Sequence, residues 1–224
     1  MNEAPTTLVL VRHGVTDHTT GRRFSGGVAG ADPGLSEEGR DQVRSVAAWL
    51  APSAERIDAV ITSPVRRTRE TAEILGEVLQ REVAVEPGFA EMEFGAWDGL
   101  TFEEVSEQHR DDLEAWLGDP EATPGGTGES LRTVEERVLA ARDRCLAQHT
   151  GRTVVVVSHV TPIKTMLART LEAPLQSMYR MELAPASVSV VVFWPEGEHP
   201  PWASVRLLNA LPPDRAWLGE SSRW

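Results

Sequence analysis

The sequence predicts an α/β fold: a three-layer α/β/α sandwich on a mainly parallel sheet, with an antiparallel hairpin near the C-terminus and a small helical cap insertion. Three observations carry this. Short β-branched runs bounded by turn residues alternate with amphipathic helical patterns, as in βαβ units. A polar helical stretch, Thr101–Leu117, followed by the loop "GDPEATPGGTG", interrupts that alternation and reads as a cap over one sheet edge. The last two apolar runs are joined by a short connection, which suits an antiparallel pair.

The strands expected in order are Leu8–Val11, Ala59–Thr62, Val83–Val85, Thr153–Val157, Ser187–Trp194 and, after the turn-rich "PEGEHPPWA", Ser204–Leu208. Between them, Ser36 is placed to cap the helix "EEGRDQVRSVAAWL", whose first turn carries Glu. "PVRRTRETAEILGEVLQ" opens with Pro64 at an expected first helical position. "SLRTVEERVLAARDRCLAQH" reads as a long helix, and "PIKTMLARTLE" as another. With 224 residues, 41% of them hydrophobic, the chain suits one domain over residues 1–224, the cap at about 96–128. No internal repeat or low-complexity linker suggests a second.

A formal charge of −12 disfavours nucleic acid and anionic membrane as partners. An anionic small molecule would need a local cationic site against that field. Cys145 is the sole cysteine, so no internal disulfide forms and a reducing, cytoplasmic setting is expected. "MNEAPTT" lacks a signal-peptide pattern, and "TVVVV" and "SVSVVVFW" are too short to span a bilayer.

Chemistry-bearing residues stand at the strand ends, where open α/β sheets bind ligands. The first strand runs into Arg12-His13-Gly14, then Thr16; the second into Ser63-Pro64, then Arg66 and Arg67; the fourth into Ser158-His159. Glu91, in "FAEMEFGAWDG", follows the third. Arginines offer forked donors that match phosphate oxygens, and a helix N-terminus can add its dipole. A neutral imidazole can attack phosphorus, nearby guanidinium groups disfavouring its protonation. A carboxyl group can protonate the leaving oxygen and then accept a proton from water. No metal or other cofactor is required where arginines and imidazoles neutralise the charge.

"RHGVT", "SPVRRTRETA", "EMEFGAWDG" and "SHVTPIK", in that order, resemble the signature blocks of the histidine phosphatase superfamily, also called phosphoglycerate mutase-like, from Leu8 to about Leu208. The resemblance implies that His13 is a phosphorylated nucleophile, Arg12 and Arg67 its phosphate clamp, His159 a further phosphate ligand, and Glu91 the acid and base. Arg67 is preferred to Arg66 because family blocks read S-P-x-x-R, and Glu91 to Glu93 because it stands four residues before Gly95. "RRFSGG" is similar to a phosphate-proximal loop, making Ser25 and Gly26 candidate binding residues; Thr16 would support the His13 loop. Val160-Thr161 departs from the two glycines of many members; "SHVTPIK" resembles the acid phosphatase half of bacterial ribonuclease H/acid phosphatase proteins, and the similarity extends to α-ribazole phosphatases.

The remaining candidates have plainer readings. His13, Asp17 and His18 suggest a metal site, but a loop spacing does not guarantee the convergent geometry such ligands need. His18, His109, His149 and His199 read as surface, Cys145 as packed, and Arg22 and Arg23 as solvated charges whose position leaves substrate contact open. Trp97 and Phe102, beside the candidate acid, are placed to line a substrate pocket, with core packing the alternative.

A phosphohistidine gives its phosphoryl group to water or to a retained sugar acid. Retention requires cations for the carboxylate, and the stretch "WDGLTFEEVSEQHRDDLEAWLGDPE" holds Arg110 as its one Lys or Arg. Hydrolysis of a small phosphomonoester is therefore expected, with mutase-type transfer or a non-catalytic phosphate-recognising module as alternatives. The same acidity favours neutral or cationic leaving alcohols. An exposed edge in the final hairpin could pair two chains as a homodimer.

Overall fold

The structure, a computed structural model, describes residues 4–197 and 199–215, with side chains 199 and 200 outside the described set. The strands are β1 (Thr6–Arg12), β2 (Ala59–Thr62), β3 (Val83–Val85), β4 (Thr153–Ser158), β5 (Val188–Glu196) and β6 (His199–Ala210), in the sheet order β3-β2-β4-β1-β5-β6. β1 to β4 are parallel, while β5 runs antiparallel to β1 and β6 antiparallel to β5. The final hairpin is longer than its apolar run suggests, because β5 and β6 pair across the Pro- and Glu-rich connection as far as Glu196 and His199.

Helices α1 (Asp17–Thr20), α2 (Glu37–Leu50), α3 (Arg66–Leu79), α4 (Phe102–Gln108), α5 (Arg110–Gly118), α6 (Leu131–Gln148) and α7 (Val160–Thr170) surround the sheet. Leu8, Leu10, Val154 and Val156 point into a core shared with α6, α7 and the cap. Val9, Val11, Val155 and Val157 point to the opposite face, against α2 and α3. Coverage of both faces explains why β1 and β4 read as unbroken apolar runs.

Helix starts follow side-chain caps. The Ser36 hydroxyl accepts from Gly39 N–H, Ser130 from Thr133, and Thr101 from Glu104 within a capping box. The helix after β2 differs from the sequence reading. Pro64 is not its first residue; α3 begins at Arg66, behind an extended Val65. The Ser63 hydroxyl accepts from Val65 N–H, 3.3 Å, and holds a turn between strand and helix.

Register brings three strand ends together. Arg12 lies opposite Ser158 and Thr62 opposite Val157. The ladder continues past the strands: His13 N–H donates to Ser158 O at 3.2 Å, and Ser63 N–H to Val157 O at 3.1 Å. The residues that follow β1, β2 and β4 therefore leave the sheet side by side. Among the described residues, no helix is long and apolar enough to cross a membrane.

Candidate active site

His13 is buried at the end of β1. Its Nδ1 lies 2.7 Å from Gly14 O. A carbonyl only accepts, so Nδ1 carries the proton and Nε2 keeps its lone pair. Arg67, in the first turn of α3, donates its Nε–H to that Nε2 at 3.2 Å. Its Nη2 is held by the carbonyls of Ser25 (3.1 Å) and Gly26 (2.9 Å). Burial first, then Arg67 and Arg12, hold the His13 imidazolium well below its ordinary pKa, so the ring is neutral at pH 7.

Gly14 follows because the next turn touches α2. A Cβ there would meet Gly39 O at 2.4 Å. Thr16 then caps α1, its hydroxyl accepting from Thr19 N–H at 3.2 Å. Arg12 reaches the Leu183 carbonyl through Nη1, and burial lowers its pKa to about 10.

His159 is the N-cap of α7 and fully buried, its ring centroid 5.2 Å from that of His13. Its Nε2 shares a 2.7 Å hydrogen bond with the Ser63 hydroxyl, which also meets Thr68 Oγ1 at 2.9 Å. Burial, Arg67 and His13 all push its pKa down. Glu91 is buried too, with Oε1 accepting from Met92 N–H at 2.8 Å. The backbone carrying it is clamped by Arg137 of α6, which donates to the carbonyls of Gly88, Ala90 and Glu91.

A cavity of about 590 Å³ opens over these groups. Arg12, His13, Thr16, Ser25, Arg67 and Glu91 line it. Arg66 and Glu93, the rivals in sequence, do not: Arg66 pairs with Glu70, and Glu93 accepts the N–H groups of Val28 and Ala29. Arg12 Nε, Arg67 Nη1, His159 Nδ1 and Ser25 Oγ are buried without hydrogen-bond partners.

Two expected binding residues stand elsewhere. Trp97 does not line the cavity; it is fully buried, packed on Phe24 at 5.5 Å and Trp116 at 5.7 Å between centroids. Its size suits the core beneath the cap, and Phe24, Phe94, Phe102, Trp116 and Tyr179 form the aromatic wall instead. Gly26 sits behind Arg67, its N–H taken by Asp98 Oδ1 at 2.7 Å and its carbonyl by the guanidinium. Arg22 and Arg23, whose position in sequence leaves substrate contact open, line the rim, Arg23 pairing with Glu104. Sequence reasoning missed Ser63 as the partner of His159, Arg137, and Lys164, whose position in "SHVTPIK" five residues after His159 was the available signal. His18, His109 and His149 are each partly exposed, and His199's side chain is outside the described residues.

The model of the histidine phosphatase superfamily (branch 1) matches residues 8–204. The chain belongs to that superfamily. It is 42% identical to the bifunctional protein Rv2228c of Mycobacterium tuberculosis over 92% of the chain and 54% of that protein. It thus spans about half the length of that relative. It is 34% identical to phosphoserine phosphatase 1 of Hydrogenobacter thermophilus, over 82% of the chain and 85% of that protein. Among solved structures, a mycobacterial glucosyl-3-phosphoglycerate phosphatase complexed with VO3 superposes with a TM-score of 0.78 at 28% identity, covering 91% of this chain and 98% of that one.

Proposed function

We propose that the chain is a metal-independent phosphomonoester hydrolase that works through a phosphohistidine on His13. The carrying observation is the set of unpartnered buried atoms, Arg12 Nε, Arg67 Nη1, His159 Nδ1 and Ser25 Oγ, gathered around a neutral imidazole. Each costs about 1–3 kcal/mol if left unpaired, so the site is built for a ligand with several acceptor oxygens. A phosphoryl group provides them. The relatives named as phosphatases of phosphoserine and glucosyl-3-phosphoglycerate support the same chemistry.

In the first step His13 Nε2 forms a bond to phosphorus as the P–O bond to the alcohol breaks. Glu91 gives its proton to the departing oxygen. Arg12 and Arg67 balance charge on the equatorial oxygens, a contribution available only if they are fixed beforehand. His159 donates through Nδ1–H, which requires the Ser63 hydroxyl to donate to Nε2. In the second step water attacks phosphorus, Glu91 takes its proton, and the P–N bond breaks to release inorganic phosphate and neutral His13.

Hydrolysis of p-nitrophenyl phosphate in excess EDTA tests this reading. Activity that resists the chelator and vanishes in His13→Ala supports it. Chelator-sensitive activity, or activity surviving in His13→Ala, contradicts it. Interconversion of 3- and 2-phosphoglycerate without phosphate release would assign the mutase alternative.

A further inference from the structure

Of the chain's 22 Lys and Arg residues, Lys164 alone is a lysine. It stands on α7, partly buried, and lines the same cavity as Arg12, His13 and Arg67. Among the described residues it forms no hydrogen bond or ion pair. Arg22 and Arg23 also line that cavity, so cationic charge for an anion is present without it. An arginine at this place would hold an anion at least as well, through its forked donors. What lysine adds is a primary amine, the only one carried by a side chain here.

That amine is kept in a form that can react. Burial first, then the Arg12 guanidinium, lower its pKa to about 8, against the opposing pull of Glu91 and Glu182. About half of it is therefore free base at pH 8, where an exposed lysine is almost wholly protonated. The free base is the form that adds to a carbonyl carbon. Arg12, which acts on this amine, also leaves its Nε unpartnered for a phosphoryl oxygen, so the two functions share one end of the cavity. At about 590 Å³ the cavity holds more than a phosphoryl group, and Phe24, Phe102, Trp116 and Tyr179 wall it with faces suited to a planar ring.

We propose that the cavity captures phosphorylated aldehydes, with the phosphate held by Arg12 and Arg67 and the carbonyl carbon bound by Lys164 as a Schiff base. The proposal rests on the phosphate clamp of the reading above and not on hydrolysis. The amine nitrogen bonds to the carbonyl carbon, the C–O bond breaks, and the carbonyl oxygen leaves as water with both amine hydrogens. Water reverses the step. A clamped phosphate raises the effective concentration of the aldehyde at the amine, which selects aldehydes that carry a phosphate. While the imine stands the clamp is occupied, so capture is a slow, reversible brake on turnover of other phosphomonoesters.

The probe is pyridoxal 5′-phosphate, and pyridoxal is its counterpart without the phosphate. His13→Ala protein is incubated with each at pH 8 and reduced with borohydride, and the Lys164 peptide is followed by mass spectrometry. The phosphorylated aldehyde is expected to label Lys164 faster than pyridoxal by about tenfold or more. Saturating inorganic phosphate, or adding Arg67→Met, should remove that advantage, and Lys164→Arg should abolish the label. In the wild type, the same probe should inhibit p-nitrophenyl phosphate hydrolysis in a fast phase and a slow phase, with only the slow one lost in Lys164→Arg. No adduct on Lys164, equal rates for the two aldehydes, labelling indifferent to phosphate, or inhibition in the fast phase alone each overturns the proposal. Labelling of a protein that turns over no phosphomonoester supports capture while failing the phosphatase reading, and turnover without labelling does the reverse.

Discussion

Arg67 places its Nε 3.2 Å from Nε2 of His13 while the carbonyls of Ser25 and Gly26 hold its Nη2. One buried guanidinium thus aims at the lone pair of the proposed nucleophile and keeps Nη1 for a ligand. Arg67→Met should lower kcat/KM for p-nitrophenyl phosphate by about a hundredfold or more, the scale of a lost transition-state donor. Arg67→Lys should recover little, since a point charge cannot span these partners. Steady-state kinetics on the three proteins decides it; a Lys variant near wild type would refute the forked role.

The buried imidazoles set a pH dependence. His13 and His159 have pKa values held well below 6.5, by burial first and then by the arginines. In the unfolded chain both take up protons near pH 6.5, so the unfolded state binds more protons as the pH falls through that value, and stability drops. NMR titration should show both rings neutral at pH 6 while exposed histidines protonate, and the melting temperature should decline from pH 7 to 5.5. Protonation of His13 at pH 6.5 would contradict the neutral nucleophile.

Glu91 acts in this account by protonating the leaving oxygen, and Arg137 acts on it through the backbone. Glu91→Gln should slow alkyl phosphates by about a hundredfold or more and p-nitrophenyl phosphate far less, because nitrophenolate leaves without a proton. Arg137→Ala, a positioning change, should show the same leaving-group bias in weaker form. Equal losses on both substrates would remove Glu91 from the role of acid.

Gly14 is fixed by contact. With a Cβ only 2.4 Å from Gly39 O, Gly14→Ala must move α2 or the His13 turn. A loss of about 1–3 kcal/mol is expected from such overpacking, read by urea unfolding, together with reduced kcat. Wild-type stability would show that the two elements are not packed as described.

Trp97 and Trp116 separate core from cavity. Trp97→Phe should lower the melting temperature and leave KM nearly unchanged, since its ring is buried outside the cavity. Trp116→Ala should raise KM by several-fold or more, since its ring faces the substrate space. The reverse pattern would restore Trp97 as a binding residue.

The position of the strands along the chain and the gathering of His13, Arg67 and His159 at strand ends were legible because each strand end carries its polar residues within a few positions of an apolar run. Trp97 misled because adjacency to Glu91 in sequence says nothing of which way a ring points; the turn at Gly95 sends it into the core. Asp98, Glu104 and Asp112 accept backbone N–H groups, and composition does not reveal which carboxylates are taken up locally. Ser63 and Arg137 were illegible because their meaning lies in partners 96 and 46 residues away.

The central claim is the covalent bond between His13 Nε2 and phosphorus. Rapid mixing with p-nitrophenyl phosphate, an alkaline quench and peptide mass spectrometry test it most directly. One phosphoryl group on the His13 peptide, labile to acid and absent from His13→Ala, is the predicted result. An unmodified His13 peptide during turnover, or a phosphoryl group on another residue, would contradict it.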